Sequence, residues 1–333
     1  MARQTPSKTQ YLHQVHRFRN IIVLTLLASL GVFIAVALFG GIEKVYSIIA
    51  TSNLYIFALA FVAVMASYLV RFCKWSYYLK KLKIKLHPTK SLMIYLSLYS
   101  MSITPGQVGR IIGGYTLNRV TKKGFMKVAP IITMDVFSDF FGFSIIAIAT
   151  SFFFHTFFVY TVIFVLLLSV SFMFLLHPSL YKQLGRIKYL RKYMKRFSSQ
   201  INTYYSSSGE LNKPHVYLAS LVFTMPADIL NSLGLYFSLL AIGIKVKITQ
   251  SLFVFAASQI FGMVSTLPGG IGVTDGTIVG LLSSTFHVSA ALSSAATIMA
   301  RLATLWFGVI IGVVCLLYTI RYWDNKKRKA KKR

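Results

Sequence analysis

Acidic residues are almost missing: seven Asp and Glu stand against 36 Lys and Arg in 333 residues, a formal net charge of +29. Charged residues of both signs make up 13% of the chain, about half the share of an ordinary soluble domain. Two cysteines, Cys73 and Cys315, are too few for a disulfide framework or a cysteine-based metal centre. Also absent are a Walker-type glycine loop, a Ser-His-Asp order and a paired metal-ligand signature. The histidines lie mostly near the ends of apolar runs, and His13 and His16 lack further metal ligands, so an interfacial place suits them. No cofactor and no metal is expected.

What is abundant is apolar length. The chain is 56% hydrophobic with a mean hydropathy of +0.65, and several runs reach the roughly 20 residues needed to cross a bilayer. The first, 21–41, is too long for the apolar core of a cleavable signal and is followed directly by more spans. The chain reads as an all-α polytopic membrane protein. Its positive charge falls in the connections between apolar runs, where it marks the cytoplasmic side. Nucleic acid is therefore not expected as a partner.

Topology follows from those connections. Residues 1–19 form a basic cytoplasmic N-terminus, 20–320 one transmembrane domain, and 321–333 a basic cytoplasmic tail suited to anionic headgroups. Full spans are expected at about 20–41, 52–72, 127–152, 156–176, 215–242 and 288–320, with the largest basic loop within 177–214. The segment "RFCKWSYYLKKLKIK", with Arg71 and Lys74, reads as an inside loop. Two further apolar stretches are broken. Residues 91–119 contain Pro105, Gly106 and Gly109, and 249–286 contain Pro268, Gly269, Gly270 and Gly272. Each reads as a re-entrant hairpin, because irregular backbone at membrane depth needs protein or a wet cavity around it.

The halves resemble one another. "KIKLHPTKSL" (83–92) aligns with "GIKVKITQSL" (243–252), "TPGQVG" (104–109) with "LPGGIG" (267–272), and "IITMDVFSDFFGF" (131–143) with "TIMARLATLWFGV" (297–309). Charge assigns the two units, about 52–152 and 215–320, opposite directions. The expected fold is six full spans plus two hairpins in an inverted-topology repeat, the plan of many secondary transporters.

Few ionisable residues lie inside the apolar stretches: Asp135, Asp139, Asp228 and Arg301, with Arg110 and Asp275 in the hairpins. Charges at that depth mark partners or wet paths. Asp135 and Asp139 share a helix face. Asp135 and Arg301 are equivalent in the repeat, which predicts an Asp135–Arg301 pair, either as a packing ion pair or as part of a headgroup track. Asp228 lines that track or partners Arg301. Each Pro-Gly break also starts a half-helix whose free N–H groups suit an anion, and Arg110 follows the first break directly. Glycines that serve close helix packing give the same pattern.

In order, PG-x-x-G, an acidic pair four apart, "LPGGIGVTDG" and "ARLATLWFG" resemble the lysylphosphatidylglycerol synthase/flippase transmembrane family over about 20–320. Its relatives include the flippase part of the multiple peptide resistance factor. Pro268, Gly269, Gly270, Gly272, Arg301 and Trp306 match its second motif. Asp275 and Asp135 stand where that family carries glutamate, keeping the carboxylate. Arg110 stands where it carries glutamate too, and the reversed charge implies an anionic headgroup rather than a cationic aminoacyl lipid.

The resemblance implies a lipid translocase in the cell membrane with both termini cytoplasmic. It would move a phospholipid or polyprenyl-phosphate-linked lipid past both hairpins, with no aminoacyltransferase domain and no catalytic residue. Membrane lipids with anionic headgroups are the expected partners, together with a homo-oligomer or a lipid-modifying enzyme. The alternatives are a membrane-embedded enzyme, with Asp135 or Asp139 as base, and an accessory subunit in lipid-linked sugar or aminoacyl-lipid modification.

Overall fold

The computed structural model of the protein describes residues 27–104, 117, 118, 121, 124–176 and 202–331. The first broken tip, with Pro105, Gly106, Gly109 and Arg110, lies outside the described residues. Among the described residues every regular element is helical. Four helices are long and apolar enough to cross a membrane, or five with one bent pair. Large apolar side chains point outward along them, Leu59, Val62, Val222, Ile310 and Val314 among them. In water that exposure would be costly; against lipid tails it is the favourable state.

Helix α1 (Leu27–Gly40) is followed at a 99° bend by α2 (Ile42–Ala50). The expected straight first span and short outer loop are thus one bent unit. The bend falls at Gly41, whose φ of 83° glycine adopts without strain. Next come α3 (Leu54–Lys81), α4 (Pro88–Ser97) with a 3₁₀ turn at Leu98–Met101, α5 (Phe125–Ser151) and α6 (His155–Leu176). The second half holds α7 (Pro214–Ala241), α8 (Ile248–Val264), the short α9 (Val273–Gly280), α10 (Ala290–Arg301) and α11 (Phe307–Lys331). A π turn at Leu302–Trp306 joins the last two.

The second span corrects the expected boundary. Instead of ending near residue 72, α3 continues to Lys81, because no glycine or proline interrupts it before Pro88. Its buried residues Tyr68, Arg71, Trp75, Tyr78 and Leu79 recur at helical spacing, so the inner face continues beyond the apolar run.

Helices α3 and α7 lie antiparallel. Asn53 N–H donates to the Ala241 carbonyl at 2.8 Å at one end, and Lys81 Nζ lies 3.4 Å from His215 Nε2 at the other. Each has 28 residues and ends in the same cap. Ile84 N–H reaches the Leu79 carbonyl at 2.8 Å while Lys83 takes a φ of 53°; Ile244 N–H reaches the Leu239 carbonyl at 3.0 Å beside Gly243 at φ 82°. This is the six-to-one bond of a Schellman cap. Beyond the caps the halves cross over: α4 and its 3₁₀ turn pack on α11, and α8 packs on α5.

Helix α5 is the central element, 67% buried over its apolar window against 33% for α3. Below its midpoint, Ile131 and Ile132 join Trp75, Tyr78 and Tyr95 in one apolar cluster. Above it, Phe140 and Phe143 join Leu235, Phe255 and Ala300 in another. Asp135, Ser138 and Asp139 fall between the two.

Close approach at small residues holds the crossing of α11 over the first hairpin arm. A Cβ at Gly312 would lie 2.1 Å from the Ser100 backbone nitrogen, which has no freedom to retreat. Gly312→Ala is therefore expected to cost about 1–3 kcal/mol as an overpacking change, read as a lowered thermal midpoint in detergent. An unchanged midpoint would mean that the 3₁₀ turn yields freely.

Candidate functional site

Two buried polar nodes face one cavity. The first is built on α3, whose Arg71 and Lys74 are three residues apart and so point the same way. The Arg71 guanidinium forks, one nitrogen donating to Asp139 Oδ2 on α5 and the other to Asp228 Oδ1 on α7. Lys74 Nζ lies 2.7 Å from Asp139 Oδ1 and 2.9 Å from Asp135 Oδ1, and donates to Ser138 Oγ at 2.9 Å and Thr224 Oγ1 at 3.2 Å. These side chains are 0–7% exposed. Charges so deep persist only when paired and hydrogen-bonded, and this node ties three helices together through them. Close packing reinforces it: a Cβ at Gly142 would fall 2.1 Å from Asp228 Oδ2.

The second node shapes the break in the second hairpin. Gly269, Gly270 and Gly272 adopt φ of 59°, 66° and 86°, positive values that side chains with a Cβ resist, with Ile271 extended between them at φ −55°. Asp275, in the first turn of α9, accepts from Gly272 N–H at 2.8 Å. Its other oxygen lies 2.9 Å from Arg301 Nε, an ion pair without hydrogen-bond alignment. Arg301 also donates through Nη2 to the Gly269 carbonyl at 2.8 Å. One guanidinium at the end of α10 thereby clamps both sides of the break. The π turn begins at the next residue, a local widening that often accompanies functional sites.

Between the nodes lies a cavity of about 290 Å³. Its lining includes Arg71 and Asp139 from the first node and Arg301, Gly269 and Gly270 from the second, with Tyr68, Tyr99, Ser102, Asn231 and Gln259 and a larger apolar share that includes Phe140, Phe143, Met263 and Leu305. Tyr68 is held by donation to the Thr304 carbonyl at 3.1 Å. Among the described residues no group of three His, Cys, Asp or Glu is placed to hold a metal ion.

The expected Asp135–Arg301 pair is not formed. Asp135 pairs with Lys74, and Arg301 with Asp275. Asp228 likewise pairs with Arg71 rather than with Arg301. The reason is that the extension of α3 brings two cations against α5 and α7 before Arg301 can reach them. Of the residues expected along a headgroup path, Asp139 and Arg301 line the cavity with two glycines of the second break. Asp135, Asp228 and Asp275 stand one layer behind, each holding a cation in place. Arg110 lies outside the described residues. Missed altogether were Arg71 and Lys74; their signal was the continued burial period of α3, with Tyr68, Arg71 and Trp75 on one face.

The sequence model of the family described as the lysylphosphatidylglycerol synthase TM region matches residues 22–312. Among curated proteins, a UPF0104 membrane protein of Methanothermobacter thermautotrophicus is 31% identical over 102 residues, 29% of this chain and 30% of the relative. A UPF0104 membrane protein of Pyrococcus horikoshii is 34% identical over 91 residues, 27% of this chain and 26% of the relative. The matched stretch thus spans less than a third of either relative.

Proposed function

The chain belongs to the family of the lysylphosphatidylglycerol synthase TM region, and from that premise we propose that it is a lipid translocase. It moves a lipid between leaflets with the headgroup passing through the central cavity. The observation that carries this reading is the cavity itself: a chamber that sets Arg71, Asp139 and Arg301 among apolar side chains, inside a bundle whose outer faces are apolar. The guanidinium N–H groups that Asp139, Asp228 and the Gly269 carbonyl leave unused can donate to the phosphate of a phospholipid or polyprenyl-phosphate-linked lipid. At about 290 Å³ the chamber sits at the lower edge of the roughly 300–1,000 Å³ of small-molecule sites. One small headgroup fits it; an oligosaccharide does not.

The inverted repeat belongs to the same reading. Equal lengths and matching caps of the antiparallel α3 and α7, and the exchange of α4 and α8 across the halves, support two units of opposed direction. Such units can rock about a site at their junction. The basic connections support a cytoplasmic-membrane protein with both termini inside.

The test is a leaflet assay in proteoliposomes with headgroup-labelled phosphatidylglycerol, phosphatidylcholine and an aminoacylated lipid. Labelled anionic lipid is expected to become protected from an outside quencher faster than in protein-free vesicles, and to be recovered chemically unchanged. Chemically altered lipid would favour the enzyme, and no protection for any lipid would end the translocase reading.

A further inference from the structure

Passage of a headgroup through the cavity leaves one buried acid, Asp228, without a task. It is 0% exposed on α7, and among the described residues its ion pair is with Arg71 alone. Its second oxygen, Oδ2, is buried without a hydrogen-bond partner and abuts α5 at Gly142, where a Cβ would fall 2.1 Å away. An ionised carboxylate only accepts hydrogen bonds, so an oxygen left bare at membrane depth is costly. A carboxyl in that position neutralises itself with a proton once its counter-charge weakens. Acids within membrane spans commonly serve as proton relays.

The neighbours decide when that happens. Helix α7 packs on α3, α5, α8, α10 and the π turn. Arg71 and Lys74 act on Asp228 from α3, and Asp135 and Asp139 from α5. Helix α8 and the π turn carry no ionisable residue, and α10 contributes Arg301, in the cavity lining. Asp139 has Lys74 Nζ at 2.7 Å as a second cation, whereas Asp228 depends on the guanidinium it shares with Asp139. Arg71 lines the cavity, so a lipid phosphate bound there is a third anion on that one guanidinium. Asp228 is then the acid left short of positive charge. A route for a proton lies beside it: Asn231, one turn along α7 on the same face, lines the cavity with its Oδ1 unpartnered.

We propose that Asp228 is a proton site that couples transfer to a pH gradient, one proton travelling with each anionic headgroup. This rests on the translocase reading and supplies its driving force. Without lipid, Asp228 is ionised and paired with Arg71. As phosphate arrives on Arg71, a proton from water in the cavity passes to the Asp228 carboxylate. When the headgroup leaves on the far side, Arg71 pairs with Asp228 again and the proton returns to water there. One negative and one positive charge enter and leave together, so the buried node keeps its charge throughout.

The full chain in phosphatidylcholine vesicles with headgroup-labelled phosphatidylglycerol tests this. With the outside one pH unit more acid than the lumen, labelled lipid is expected to accumulate in the inner leaflet, up to about tenfold over the outer and beyond protein-free vesicles. Reversing the gradient reverses the accumulation. Asp228→Asn still accepts from Arg71 but takes no proton, and returns the leaflet ratio to that of protein-free vesicles. Transfer to an equal distribution under every gradient would overturn the coupling and leave the translocase reading standing, whereas no transfer under any condition would overturn both. Accumulation that survives Asp228→Asn would put the proton on another group and overturn the assignment. Should the variant transfer nothing, proton uptake decides. In weakly buffered detergent, adding phosphatidylglycerol is expected to draw protons from solution onto the parent protein and not onto folded Asp228→Asn, and equal uptake by the two would overturn the proposal.

Discussion

Arg71→Met is expected to abolish lipid transfer and to destabilise the fold by about 3–5 kcal/mol, the usual cost of removing one partner from a buried ion pair. Asp228 is 0% exposed, and its ion pair is with Arg71. Without the guanidinium, that carboxylate stays at membrane depth uncompensated. Asp139 fares better, because Lys74 Nζ still lies 2.7 Å from its other oxygen. The loss should therefore concentrate on Asp228. Adding Asp228→Asn removes the stranded charge, so the double variant is expected to recover most of the thermal midpoint in detergent. Transfer should not return with it, since the cation facing the cavity is still missing. That split separates the two jobs of Arg71. If transfer recovers along with stability, Arg71 serves only to hold α3, α5 and α7 together, and the headgroup meets some other group.

How visible this node was in the sequence depends on which charge is considered. Asp135, Asp139, Asp228 and Arg301 stood out because each interrupts an apolar run, and the cost of burying a charge makes such interruptions meaningful. Arg71 and Lys74 were hidden for the opposite reason. They open a run that continues through Lys80, Lys81, Lys83 and Lys85, and a rule that counts lysines and arginines to find the cytoplasmic side absorbs them into the loop. Only the burial period of α3, continued to Tyr78 and Leu79, distinguishes the two inward cations from the outward ones. Hydropathy is blind to that period, since the inner face there is aromatic and charged.

The Asp135–Arg301 expectation failed on a different point. Equivalence under a repeat relates two environments, and it does not bring the two residues into contact. Each of these charges found its partner on a neighbouring element: Lys74 on α3 for Asp135, Asp275 on α9 for Arg301. The second break, by contrast, was legible as a break, because a proline and three glycines within five residues leave a mark no helix-forming sequence carries, and the glycines take positive φ there. The bend at Gly41 was not, since two adjacent glycines at the end of an apolar run read equally well as its terminus.

Arg301→Lys is the sharper test of the break, because it keeps the charge and removes the fork. A lysine at this position can still neutralise Asp275, which is 1% exposed and needs a cation nearby. It cannot hold Asp275 through one nitrogen and the Gly269 carbonyl through another, as the rigid guanidinium does at 2.9 Å and 2.8 Å. Asp275 itself keeps its bond to Gly272 N–H, so α9 remains capped. The expected outcome is a thermal midpoint close to that of the parent protein and lipid transfer slowed at least tenfold, about 1.4 kcal/mol in the barrier. The carbonyl freed at Gly269 then loses its partner beside the cavity, and the glycine turn loses the contact that fixes its shape. Asp275→Asn gives the complementary case, since its amide oxygen still accepts from Gly272 N–H while Arg301 loses its counter-charge. Transfer slowed by both changes would assign the clamp to the shape of the break. Transfer slowed by Asp275→Asn alone would assign it to charge balance, and the fork would be incidental.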